Sequence, residues 1–312
     1  MADLSGRRDE RAQILLLGAF ALAALFVTLA LILNAVIYTE NLATRADSRT
    51  SDAVAHSKSV ERGTVDLLEY VNEYNTTNYS HLRNELGTGF VNFTEALSRF
   101  RLTSGVVIGG TVRTEFEGTW LTQTNASRNF TNRNNTAVSW SPVNGSANGA
   151  RAFRMNVTAV SASLGPNNFS VRASNGTHNW SLAVGTNDIN VTDATGNTSQ
   201  CSIGAAPVWI NVSEGRVGGA DCAPLDFGAD LDTISSIEFH NADQIKGSYR
   251  LLVNNSLSDI DDPEQVDFAL NSTNDGPFKE PALYGAVVGI EYQTTSLLYR
   301  SDRRVVPGEI DG

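Results

Sequence analysis

The sequence predicts an α+β protein: a long N-terminal transmembrane and stalk helix, followed by a β-rich extracellular head for which a sandwich is one of two architectures left open. Three observations carry this expectation. Residues 12–39 contain no charge between Arg11 and Glu40. Small and apolar residues then recur every three or four positions as far as Tyr74, which is the period of one helix face. Beyond Gly105 the period falls to two, in short runs separated by Asn, Gly, Ser and Pro.

The uncharged stretch comes first in the chain. Ile14 to Val36 is built from Leu, Ala, Val, Ile and Phe almost throughout. About 20 helical residues cross the roughly 30 Å hydrocarbon layer, so residues 13–38 read as a membrane span behind a short basic leader, residues 1–12. A cleaved secretory signal would have a shorter apolar region and a small-x-small site, which Asn41-Leu42-Ala43 matches poorly. Three arginines precede the span (Arg7, Arg8, Arg11) and two follow it closely (Arg45, Arg49), a bias too slight to fix orientation alone.

Residues 39–102 read as a helical stalk with a fold-back helix. The stripe Ala46, Thr50, Ala53, Ser57, Val60, Thr64, Leu67, Val71 and Tyr74 steps by four and three, with Gly63 as a weak point. A second amphipathic helix runs from Ser80 to about Phe100, with Leu82, Leu86, Phe90, Phe93, Leu97 and Phe100 on one side. Gly87 and Gly89 weaken its centre.

The head, residues 103–300, offers candidate strands at Val106 to Trp120, Arg151 to Val160, Phe169 to Ala173, Asn179 to Val184, Pro207 to Val212, Ile234 to Phe239, Ser248 to Val253 and Tyr284 to Arg300. Gln123 to Gly149, rich in Asn, Ser, Thr and Gly, reads as a long mobile loop. Residues 301–312 form a polar tail.

Glycosylation sequons orient the chain. Asn-x-Ser/Thr occurs at Asn75, Asn78, Asn92, Asn125, Asn129, Asn134, Asn144, Asn156, Asn168, Asn175, Asn179, Asn190, Asn197, Asn211, Asn254 and Asn271. That is 16 sites where the Asn, Ser and Thr content predicts about 5, and all lie after the span. The excess places everything beyond residue 40 outside the cell, with a cytoplasmic N-terminus and a single-pass anchor. In the strands the sequon Asn should face solvent while its neighbours face the core. Cys201 and Cys222, the only cysteines, would pair as a disulfide in an oxidising compartment.

Composition excludes several function classes. The net charge is −11, against a nucleic-acid partner that needs a basic face. Of 23 basic residues only Lys58, Lys246 and Lys279 are lysine, and this acidic, lysine-poor balance fits a halophilic protein in molar salt. No nucleophile elbow, phosphate loop or His-Glu-x-x-His pair occurs, and the four histidines lie far apart, so no enzyme, cofactor or metal site is expected. Asp226, Asp230 and Asp232, and then Asp259, Asp261, Asp262 and Glu264, read as solvated acidic surface because neither group has the calcium-loop spacing. Trp120, Trp140, Trp180 and Trp209 read as core aromatics before they read as a sugar-binding face.

At Glu10-Arg11-Ala12-Gln13-Ile14 the chain resembles an archaeal prepilin leader, a short charged segment and a small residue before a long hydrophobic helix. With the helix and the β-rich head, it resembles archaeal type IV pilin-like proteins, haloarchaeal membrane-anchored ones in particular. The resemblance implies processing between Ala12 and Gln13, with Arg11 ahead of the cut. It also implies a non-enzymatic, glycosylated subunit whose N-terminal helix packs with other pilin-like subunits or secretion and assembly machinery, as a homo- or hetero-oligomer, and contacts membrane lipid. A generic cell-surface adhesin or envelope glycoprotein, or an extracellular ligand-binding domain, remains the alternative.

Overall fold

The computed structural model describes residues 6–74, 78–144, 149–161, 164–225, 234–260, 267–270 and 276–307; within the first helix, side chains are described at residues 20, 22, 23, 25–37 and from 51 onward. Two compact units divide the chain, residues 1–58 and 59–312. Helix α1 (Gly6–Val71) begins in the first and ends in the second.

In the second unit, α1 ends beside α2 (Tyr79–Arg101). Asn78 caps α2, its side chain accepting a hydrogen bond from the Ser80 amide at 2.8 Å, and a turn at Leu102–Ser104 with left-handed Gly105 stops it. Among the described residues fourteen strands follow: β1 (Val107–Gln123), β2 (Trp140–Val143), β3 (Ala150–Val160), β4 (Phe169–Ser174), β5 (Asn179–Val184), β6 (Asp188–Thr192), β7 (Thr198–Ser202), β8 (Val208–Asn211), β9 (Arg216–Val217), β10 (Ala220–Asp221), β11 (Ser236–His240), β12 (Ile245–Val253), β13 (Phe278–Gln293) and β14 (Leu298–Val305). They form an eight-stranded sheet, β10-β9-β8-β3-β12-β1-β13-β14, and a six-stranded sheet, β2-β11-β4-β5-β6-β7. Every pairing between these strands is antiparallel.

The two sheets enclose one large core. Phe153, Met155, Ile210 and Leu251 come from the first sheet, and Phe169, Trp180, Leu182, Ile189 and Phe239 from the second. Phe239 is its centre, with the Phe130, Phe153, Phe169, Trp140 and Tyr249 rings packed around it. A second core joins the helices to β13 and β14: Val60, Leu68, Val71, Leu82, Leu86 and Phe90 are buried with Leu283, Ala286, Val288, Ile290 and Val305. Glycines set the helix spacing, because a Cβ on Gly63 would collide with the Phe93 ring and one on Gly89 would lie 2.7 Å from Leu67 Cδ1.

The expected fold class is therefore corrected. Among the residues whose side chains are described, strand outweighs helix, 42% to 28%, so the protein is a mostly β structure of two antiparallel sheets. Residues 59–71 and α2 form no stalk. The apolar period that suggested one is the face they bury against the first sheet.

The membrane reading is corrected too. Among the described residues no helix is long and apolar enough to cross a membrane. This overturns the transmembrane assignment of residues 13–38 and the single-pass location built on it. The side chains of Arg11, Ala12 and Gln13, and of residues 14–19, 21, 24, 38 and 39, lie outside the described residues.

Two local expectations also change. Gln123 to Gly149 is anchored where it is described: Phe130 is fully buried, and Trp140 Nε1 donates to the Phe130 carbonyl at 2.9 Å. Tyr284 to Arg300 is the end of β13 and the start of β14, separated by a turn in which Thr294 Oγ1 accepts from the Leu297 amide.

Candidate functional site

Two surfaces stand apart from an otherwise ordinary folded exterior. The first is on α1. Phe20, Leu22, Leu25, Phe26, Val27, Leu29, Leu31, Ile32, Leu33, Val36 and Ile37 are exposed by 49–73%. These positions spread over most of the helix circumference, with Thr28 and Asn34 as the polar residues between them.

The second is the outward side of the six-stranded sheet. Period-two alternation turns Trp180, Leu182, Val184, Ile189 and Val191 fully inward. The residues between them face out: Asn179, Ser181 and Ala183 on β5, then Asp188, Asn190 and Thr192 on β6. Register places Asn190 between Ala183 and Gln200, and Thr192 between Ser181 and Thr198. Short side chains thus leave this face open. At the β6–β7 turn, the Asp193 carboxylate accepts from Thr195 Oγ1, the Thr195 and Asn197 amides and Asn197 Nδ2, and these bonds hold its pKa below the usual carboxylate range.

Sequons occupy both sheets and the helices, but not equivalently. Asn78, Asn92, Asn134, Asn144, Asn179 and Asn197 are exposed, and Asn125, Asn129, Asn156, Asn175, Asn190, Asn211 and Asn254 are half-buried. Asn168 is buried, donating from Nδ2 to the Val184 carbonyl at 3.0 Å. Sequon hydroxyls are also taken: Thr94 and Thr131 are buried, and Thr158 Oγ1 donates to the Ala126 carbonyl. Asn75 and Asn271 lie outside the described residues.

Cys201 on β7 and Cys222 after β10 are joined as a disulfide with Cα atoms 6.1 Å apart. These strands end their respective sheets, so the bond ties the two layers together at one side.

Among the described residues no group of three His, Cys, Asp or Glu is placed to hold a metal ion. Asp226, Asp230, Asp232, Asp261, Asp262 and Glu264 lie outside the described residues, while Asp259 is an exposed acceptor for Ser256. His240 Nε2 lies 3.1 Å from Glu238 Oε2, both partly exposed on the same strand. A groove of about 300 Å³ is lined by Gly109, Thr111, Arg113, Glu291, Arg300 and Asp302. Its charges satisfy one another, Arg300 with Glu291 at 3.0 Å and Arg113 with Asp302 at 3.7 Å. Of the tryptophans, Trp120, Trp140 and Trp180 are buried and Trp209 is 60% exposed, which leaves no aromatic platform.

A polar cluster the sequence did not signal lies beside Trp120. The Arg250 guanidinium stacks 3.9 Å above the Trp120 ring and donates to the Asn72 carbonyl. Burial lowers the Arg250 pKa, and burial raises that of Glu280, only partly offset by the attraction of Arg250. Tyr79 is raised by burial as well; its hydroxyl donates to the Gly118 carbonyl and accepts from the Leu257 amide. These contacts join helix ends to strands and touch no cavity described above.

Comparison with known proteins adds one relation. Residues 8–132 are similar to a family described as a family of unknown function (DUF7261), a match that spans α1, α2 and β1 and covers less than half of the chain. No curated protein and no solved structure matches.

Proposed function

We propose that the protein is a non-enzymatic structural subunit of the type IV pilin-like kind, in which α1 is the association element and the disulfide-tied β-sandwich is the displayed body. The observation that supports this reading is the exposure of eleven large apolar side chains around α1 between Phe20 and Ile37. Burying one such side chain is worth about 1.5 to 3 kcal/mol. A helix apolar over most of its circumference is covered by something, and like helices packed laterally do so while leaving the head free. The leader-like segment around Arg11, Ala12 and Gln13 agrees with maturation before assembly.

A single-cysteine test reads association directly. With Cys201 and Cys222 already bonded, Ala23→Cys supplies a lone thiol on the exposed helix. Protein prepared from its native source and mildly oxidised should yield a disulfide-linked dimer that the unsubstituted chain does not. Leu29→Glu combined with Ala23→Cys should abolish that dimer. A monomer under both conditions, with an N-terminus that is not Gln13 by mass spectrometry, would leave an envelope glycoprotein as the better reading.

A further inference from the structure

We propose that the outward face of the six-stranded sheet is an N-glycosylated face, with glycans on Asn175, Asn179, Asn190 and Asn197. The inference does not depend on the association role of α1. It requires only that the head reach a compartment where glycans are added, one that also favours the Cys201–Cys222 bond.

Geometry groups these four sites on one sheet and its turns. An acceptor must offer the Asn amide and the hydroxyl two positions on, and a strand puts both on the same side. Asn179 and Ser181 share the open face of β5 while Trp180 between them is fully buried; Asn190 and Thr192 do so on β6 around buried Val191. Asn175 and Asn197 sit in the two turns that end these strands, followed by exposed Thr177 and Ser199. Asn175 accepts through Oδ1 from the Thr177 and His178 amides, which aims Nδ2 away from its own turn. Among the described residues, the side-chain Nδ2 atoms of Asn175, Asn179 and Asn190 donate no hydrogen bond. Asn197 Nδ2 donates to Asp193 and Thr195 and would give up one of these. Neighbours as small as Ser181, Ala183 and Thr192 leave room for a first sugar.

Asn168 supplies the contrast on the same sheet. It precedes β4, is 4% exposed and spends Nδ2 on the Val184 carbonyl, so a sugar there would displace the β4–β5 pairing beside Phe169. The chemistry is the same at each open site. Asn Nδ2 bonds to the anomeric carbon of a lipid-phosphate-linked sugar donor, the carbon–oxygen bond to phosphate breaks with its electron pair leaving on phosphate, and the displaced amide proton passes to solvent.

Trypsin cleavage after Arg154, Arg172 and Arg216 puts Asn168, with Asn156, on peptide 155–172 and the four open sites, with Asn211, on peptide 173–216, so each glycan is assigned to its residue by fragmentation within the peptide. Mass spectrometry of reduced, folded protein from its native source should find glycan on at least three of the four and none on Asn168. Thr192→Val, which keeps the β-branched shape, should remove one glycan mass, that at Asn190, and leave the others. Glycan on fewer than three of Asn175, Asn179, Asn190 and Asn197, a glycan on Asn168, or an unchanged glycan at Asn190 in Thr192→Val would each overturn the assignment.

Discussion

The Asn72 side chain pairs with the backbone of Leu283 as a neighbouring strand would: Nδ2 donates to the Leu283 carbonyl at 2.8 Å and Oδ1 accepts from its amide at 2.7 Å. The two residues are separated by 211 positions in the chain. Leu283 lies where the β1–β13 register shifts between Phe116 and Glu117, so its main chain needs a partner from outside the ladder. The end of α1 supplies it. Asn72→Ala leaves two buried backbone groups unpaired and should cost about 3 kcal/mol in denaturant unfolding of the head. A loss under about 1 kcal/mol would mean water replaces the amide without penalty.

Glycines in the helices separate packing from propensity. A methyl group added at Gly87 would meet nothing within 4 Å, so Gly87→Ala should raise stability by up to about 1 kcal/mol. Gly63→Ala gains the same propensity but meets the Phe93 ring, and should lower stability by about 1 to 3 kcal/mol. Thermal unfolding of both variants decides, since equal shifts would show that the helices do not pack at Gly63.

Much of the sandwich could be read from alternation, and the reason is visible at β5. Asn179 to Val184 reads as a strand because Trp180, Leu182 and Val184 alternate with polar residues, and all three are fully buried. β7 escaped notice: Thr198 to Ser202 carries no large apolar residue and is held by main-chain pairing to β6 and by the disulfide. Gly63 read as a defect because sequence shows its lack of a side chain and not the ring that fills the space. Counting uncharged residues showed that α1 avoids water around most of its circumference, but that count does not identify what covers it. Asn72 and Arg250 gave no signal, since their partners are set by the tertiary arrangement.

Removing the inter-sheet bond should be costly. Cys201 and Cys222 close a loop of 21 residues, for which the chain-entropy argument gives about 3 kcal/mol. Cys201→Ser with Cys222→Ser should unfold at correspondingly lower denaturant, with a smaller effect on α2, which packs on the far part of the first sheet. Hydrogen exchange can test this: equal deprotection of β7 and α2 would contradict a local clamp.

Tyr249 carries a fully buried hydroxyl without a hydrogen-bond partner, and burial pushes its pKa far up. Tyr249→Phe keeps the ring contacts with Phe130 and Phe239 and removes the unpaired oxygen. It should stabilise the head by about 1 kcal/mol, independent of pH across the neutral range. A destabilisation would show that the hydroxyl is bonded to buried water.

Glu280 makes the sign of a pH effect testable. Burial raises its pKa above the ordinary carboxylate value more than Arg250 lowers it, so the folded protein binds the Glu280 proton more tightly than the unfolded chain does. The stabilisation from that proton is fully present below the unfolded pKa and disappears as pH rises through the folded one. At neutral pH, ionised Glu280 therefore destabilises the fold relative to a neutral side chain of the same shape. Glu280→Gln should melt higher than the unsubstituted protein near pH 7, with the difference shrinking as pH falls towards about 4. Were Glu280 instead held as a stabilising partner of Arg250, the variant would melt lower at neutral pH and the gap would close from the opposite side in acid. Thermal melts across that range distinguish net burial cost from net ion pairing at the junction between α1 and the first sheet.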